Sequence, residues 1–162
     1  MYRILVSLFT ILLIASCAKY ENPLDLKNGN CFINLNANEI LENEIEEVFV
    51  VEVVDCSEPH NFEVIATFAS VPDLYKEYED PIDQVCLDSL IDYIDRILPS
   101  SSSGTLLKVY EKFDQNYRRY HYFNKVDNTF LADNDKNFVC AVMSIDSLIY
   151  KTFKQSIETF II

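Results

Sequence analysis

The chain has 162 residues, 49% of them hydrophobic, with 26 acidic against 13 basic residues and a net charge of −13. It is too apolar and too rich in Tyr and Phe to be disordered, and too acidic, with no basic patch, to take a nucleic acid as partner. Gly29 and Gly104 are its only glycines, which excludes the glycine-rich phosphate loops of P-loop and dinucleotide-binding proteins.

Arg3 is the only charge before Lys19, and Ile4 to Ile14 is apolar except for Ser7 and Thr10. A positive start, a short apolar core and the small residues Ala15 and Ser16 form a secretory signal. A spanning helix would need about 20 apolar residues, and the run stops short of that. Ile14-Ala15-Ser16-Cys17 resembles the bacterial lipobox, which implies cleavage before Cys17 and diacylglycerol on its sulfur. The expectation is a signal peptide over residues 1–16, a lipidated tether over 17–30, and attachment to the extracytoplasmic face of the cell membrane through lipid at Cys17. Each buried methylene of such a lipid contributes about 0.8 kcal/mol to attachment. The remaining 146 residues suffice for one domain with a core. They keep 12 basic and 26 acidic residues, a net charge of −14.

With Cys17 assigned to lipid, Cys31, Cys56, Cys86 and Cys140 remain. An even number in an exported chain implies two disulfides. Four cysteines allow three connectivities, and the un-nested pairing Cys31–Cys56 with Cys86–Cys140 is favoured. A zinc site of Cys31, Cys56 and His60 competes with this reading. The C-x-x-C pairs of structural zinc are missing and the export route favours oxidation, so neither a metal nor a cofactor is expected.

In chain order, Asn28-Gly29-Asn30 marks a turn and Cys31 to Ile33 a short strand. Asn36 to Glu47 fits either a helical turn or an irregular loop. Val48 to Val54 is β-branched almost throughout, as a central strand requires. Asp55 to Asn61 breaks it, and Glu63 to Phe68 predicts the next strand, with Val64, Ala66 and Phe68 on one face. Asp80 to Leu98 predicts the principal helix: Asp80 caps it, Pro81 starts it, and Asp83 sits at its positive end. Ile82, Val85, Cys86, Leu90, Tyr93, Ile94 and Ile97 make its buried face, while Asp88, Asp92 and Asp95 occupy the other. Pro99 and the serines up to Gly104 predict a flexible turn. Thr105 to Glu111, Tyr117 to Lys125 and Asn137 to Ser144 predict three more strands, with a polar loop over Asn124 to Asn137. Ile145 to Ile162 fits a helix or an extended edge. The expected fold class is α+β, a mainly antiparallel sheet with one principal amphipathic helix and two disulfides.

Asn30-Cys31-Phe32, followed by Val53-Val54-Asp55-Cys56-Ser57-Glu58-Pro59-His60-Asn61-Phe62-Glu63-Val64, resembles the septum formation domain family. Cys86, and Asn137-Phe138-Val139-Cys140-Ala141-Val142, stand where that family has its third and fourth cysteines. The likeness spans about Asn28 to Met143, so residues 31–146 are taken as the domain and 147–162 as a tail. It implies a small extracytoplasmic domain, often lipoprotein-borne, with a link to cell division. The family's Trp and Gly upstream of the last Cys are absent, and Asn30 replaces its acidic residue.

The functional expectation is a non-enzymatic, membrane-anchored domain that binds another envelope protein, with Ser57, Glu58 and His60 as candidate interaction residues and no catalytic set. A hydrolase using His60 beside Ser57 or Glu58 is the alternative. A small-ligand carrier is a third reading, marked by an apolar pocket.

Overall fold

The structure is a computed structural model that describes residues 19–34, 50–98, 103–123, 137–145 and 148–161. Cys17, the segment from Asn36 to Glu47, Pro99 and most of the polar loop after Asn124 lie outside the described residues. Six strands form one antiparallel sheet: β1 (Lys19–Glu21), β2 (Cys31–Ile33), β3 (Val51–Val54), β4 (Phe62–Phe68), β5 (Tyr117–Phe123) and β6 (Phe138–Ser144). Their spatial order is β1-β3-β2-β4-β6-β5. Among the described residues three helices accompany them, α1 (Pro81–Ile97), α2 (Ser103–Asn116) and α3 (Phe153–Phe160). The fold is α+β and is stapled by Cys31–Cys56 and Cys86–Cys140.

Two cores lie on opposite faces of the sheet, and β6 is buried between them. Phe138, Cys140 and Val142 pack under the helices with Val85, Leu90, Ile94, Val109, Phe113 and Ile157. The alternate residues Val139, Ala141 and Met143 pack on the opposite face with Phe32, Val51, Phe62 and Leu26. A strand wanted by two cores reads as a continuous apolar run, as Phe-Val-Cys-Ala-Val-Met does. On the second face Phe32 and Phe62 stack at 4.9 Å between centroids.

Lys19–Glu21, expected to be tether, adds β1 to the edge of β3 through the pair Tyr20 and Glu52. The chain then makes a 3-10 turn, Pro23–Asp25, whose Leu24 helps to close the second core. In β4 the register shifts between Val64 and Ala66. This bulge at Ile65 corrects the expected single face: Val64 belongs to the second core, while Ala66 and Phe68 lie against the helices. One extra residue reverses the alternation of everything after it.

α1 begins as the sequence implies. Asp80 accepts the Asp83 N–H at 3.0 Å and Pro81 takes the first turn. Val85, Cys86, Leu90 and Ile94 are buried along it. The strand expected over Thr105 to Glu111 is instead part of α2. Leu106, Val109, Tyr110 and Phe113 recur at helical spacing and face the core, and a run rich in Leu, Val and Tyr hides that period. Gly104 lies in the first turn of this helix rather than in a linker. The tail contains α3, which opens with a capping box between Thr152 and Gln155.

The helix over 103–116 separates two residues that a strand would treat alike. Val109 is fully buried and Leu107 is 60% exposed. Val109→Ala is expected to cost about 2 kcal/mol from lost burial, and Leu107→Ala within about 0.5 kcal/mol. Urea denaturation of both variants checks this, and equal losses would contradict the helix.

Candidate functional site

The loop from Asp55 to Asn61 carries the chain from β3 to β4. Asp55 Oδ1 accepts the Ser57 N–H at 2.8 Å and the Ser57 hydroxyl at 2.7 Å. These bonds, the backbone one foremost, hold the Asp55 carboxyl below its usual range. Cys56 is joined to Cys31 of β2 across 5.2 Å between Cα atoms, and its sulfur lies 3.5 Å from the Gly29 carbonyl oxygen. Gly29 has φ +81°, the left-handed conformation that glycine adopts without strain. Its N–H donates to the Val64 carbonyl at 2.8 Å and so fixes the turn against β4.

His60 closes the loop from inside. Its backbone pairs in both directions with Ile149, at 2.9 and 2.7 Å. Its Nδ1–H donates to the Glu58 carbonyl at 2.8 Å. The ring is 0% exposed, and Nε2 has no hydrogen-bond partner among the described residues. Burial pushes the imidazolium down in pKa, and the Glu58 carbonyl opposes this in part. In the neutral ring, the proton on Nδ1 leaves the lone pair on Nε2.

Burial divides the expected trio of Ser57, Glu58 and His60. Ser57 and Glu58 are exposed, but His60 offers no surface to a partner. The Ser57 hydroxyl donates to Asp55 rather than to His60, so no activated serine is built.

Sequence reasoning missed Glu63. It pairs with Cys31 across β2 and β4 and is 3% exposed beneath the helices. Its Oε2 accepts the Phe153 N–H at 2.5 Å, and its Oε1 accepts the Tyr93 hydroxyl at 3.2 Å. Burial pushes the Glu63 carboxyl up in pKa, while the Phe153 and Tyr93 donors pull it back in part. Burial and the neighbouring Glu63 charge push the Tyr93 phenol well above its ordinary value. The available signal was a lone acid inside an otherwise apolar strand, a residue type almost never buried without partners.

The two ends of this cluster meet. Cys31 Sγ lies 4.0 Å from Glu63 Oε2. Cys31, His60 and Glu63 each offer a ligand atom, and these atoms lie within 4.8 Å of one another. With Cys31 in a disulfide its sulfur is no thiolate, and only His60 and Glu63 present free donors.

On the surface, α1 and β4 frame an open groove of 730 Å³. Its lining combines the apolar Ala66 and Phe68 with Asn28, Asp92, Asp95 and Arg96. Asp88, the third acid of the expected stripe, instead accepts from Tyr75 at 2.7 Å and Gln84 at 3.0 Å. Of the aromatic stretch from Tyr110 to Phe123, Tyr117 is buried and donates to Ser156 Oγ at 2.7 Å. Compared with known proteins, the chain matches no family model, no curated protein and no solved structure.

Glu63 gives the site a pH signature. From pH 4.5 upward an unfolded Glu ionises while the folded Glu63 lags, so this group removes stability as pH rises through its elevated folded value. Glu63→Gln keeps an acceptor for Phe153 and has nothing to ionise. Its stability relative to wild type is expected to grow from pH 4.5 upward and then level off. Denaturation at a series of pH values checks this, and a difference independent of pH would contradict it.

Proposed function

We propose that the protein is a lipid-anchored extracytoplasmic domain, attached through Cys17, that binds another envelope component and acts as a binding module rather than an enzyme. The observation that carries this reading is where the reactive groups lie. The imidazole of His60 and the carboxylate of Glu63 are buried, while a groove between α1 and β4 is open to solvent. A groove lined by Ala66 and Phe68 together with the Asp92 and Asp95 carboxylates suits a basic, partly apolar segment of a partner protein.

The address rests on other support. Two disulfides fit an oxidising compartment. Among the described residues no helix is long and apolar enough to cross a membrane, so the lipobox at Cys17 supplies the attachment in this reading. One residue, Ala18, separates Cys17 from β1, which keeps the domain close to the bilayer. The Cys56-Ser57-Glu58-Pro59-His60 likeness to septum formation domains favours a place at the division site.

Three forms of a fluorescent fusion test the reading. Wild type is expected in the membrane fraction and gathered at septa, and Cys17→Ala in the soluble fraction. Asp92→Lys combined with Asp95→Lys is expected to stay in the membrane fraction but spread around the cell. A uniform wild-type signal with normal septa in a deletion strain would contradict the division link. Septal gathering by the double variant would contradict the groove.

A further inference from the structure

Three features of the Cys31 cluster are those of a metal site whose sulfur ligands are locked away. His60 is held by its Nδ1–H on the Glu58 carbonyl at 2.8 Å, and its Nε2 is buried without a hydrogen-bond partner among the described residues. An imidazole fixed through one nitrogen and free at the other is the arrangement of metal-ligating histidines, which donate their second N–H to a backbone carbonyl or carboxylate. Glu63 is oriented in the same way by the Phe153 N–H and the Tyr93 hydroxyl. The ligand atoms of Cys31, His60 and Glu63 lie within 4.8 Å of one another. The centre of a triangle of that size is at most about 2.8 Å from each atom, and zinc bonds to S, N and O run from about 2.0 to 2.3 Å. Contraction by about half an ångström or slightly more per ligand closes the site.

We propose that reduction of the Cys31–Cys56 disulfide converts this cluster into a tetrahedral zinc site with Cys31, Cys56, His60 and Glu63 as ligands. This goes beyond the binding-module reading and does not depend on it. The reductant is a dithiol. Two electrons pass from it into the Cys31–Cys56 bond, which breaks. The dithiol closes to its own disulfide, and its two protons leave Cys31 and Cys56 as thiols. Each thiol then gives its proton to solvent as its sulfur binds the metal. Cys56 supplies the fourth ligand because the bridge already holds it beside Cys31, and it is partly exposed, which lets the reductant reach it. Two thiolates with an imidazole select zinc over calcium or magnesium, whose ligands are oxygens. The Cys86–Cys140 bridge is buried at both ends and belongs to no such cluster among the described residues.

Cobalt(II) is the probe, because thiolate ligation gives it a charge-transfer band in the near ultraviolet. The mature chain is titrated with cobalt(II) with its disulfides intact and again with a phosphine reductant present. Intact protein is expected to bind none. Reduced protein is expected to take one ion per chain with tetrahedral, thiolate-containing spectra, and to release it to zinc. His60→Gln and Glu63→Gln are expected to lower the affinity of the reduced form at least tenfold, with circular dichroism recording whether each variant is folded. If His60→Gln does not fold, Glu63→Gln decides, since it retains an acceptor for Phe153. Failure of the reduced wild type to bind, including failure because it unfolds, would overturn the proposal. So would reduced variants that bind as wild type does, since the ion would then sit on other thiols.

Discussion

One buried carboxylate organises the joint between the sheet and its helices. Glu63 stands in β4 opposite Cys31 and reaches under the helices to the first amide of α3 and the Tyr93 hydroxyl of α1. A carboxylate in such a place carries a large desolvation cost, which only strong, well-aimed donors offset. It has two: a helix N-terminus, where an unpaired N–H meets the positive end of the dipole, and a phenol. The rest of the joint follows from that geometry. Phe153 is brought down among Tyr93, Phe113 and Tyr117, with ring centroids 5.7, 5.6 and 5.0 Å away. α3 is thereby committed to the core, and the strand-like pairing of Ile149 with His60 delivers the chain to it.

The two disulfides act on different parts of this frame. Cys86–Cys140 ties the buried face of α1 to strand β6, two elements already packed together. Cys31–Cys56 ties β2 to the loop that precedes His60. Loop entropy removed from the unfolded chain makes each bridge worth on the order of 3 kcal/mol. The second bridge also sets position: it places a sulfur beside Glu63 and near the ring of His60. The bridge thus brings the Cys31 sulfur together with the His60 ring and the Glu63 carboxyl.

Much of this was legible in the residues, and the failures have particular causes. The helix from Pro81 was readable from its cap, its proline and its apolar period, because all three signals agree. β6 was readable because a strand buried on both faces leaves an unbroken apolar run. α2 was not, since Leu106, Leu107, Val109 and Tyr110 satisfy a strand over a short window and only Phe113 completes the helical period. α3 carried a local signal, the Thr152 and Gln155 capping box, that an eight-residue helix makes easy to overlook. Of the site, the Cys56 to His60 motif stood out in the sequence, but its inward direction did not. The imidazole faces the interior because Ile149, far along the chain, pairs with the His60 backbone. Glu63 was hidden for the same reason: its partners Tyr93 and Phe153 are 30 and 90 residues away.

The Glu63 carboxylate holds the start of α3 through the Phe153 N–H. First-turn amides of a helix have no partner within the helix, so the Phe153 N–H exchanges with solvent freely unless an acceptor outside the helix protects it. Hydrogen exchange at Phe153, compared with the amides of β6, in wild type and in Glu63→Ala is the direct measurement. The account predicts strong protection at Phe153 in wild type. It also predicts that Glu63→Ala speeds exchange there by a larger factor than in β6. A wild-type Phe153 amide that exchanges as fast as an unprotected first-turn amide, or one indifferent to the loss of Glu63, would contradict it.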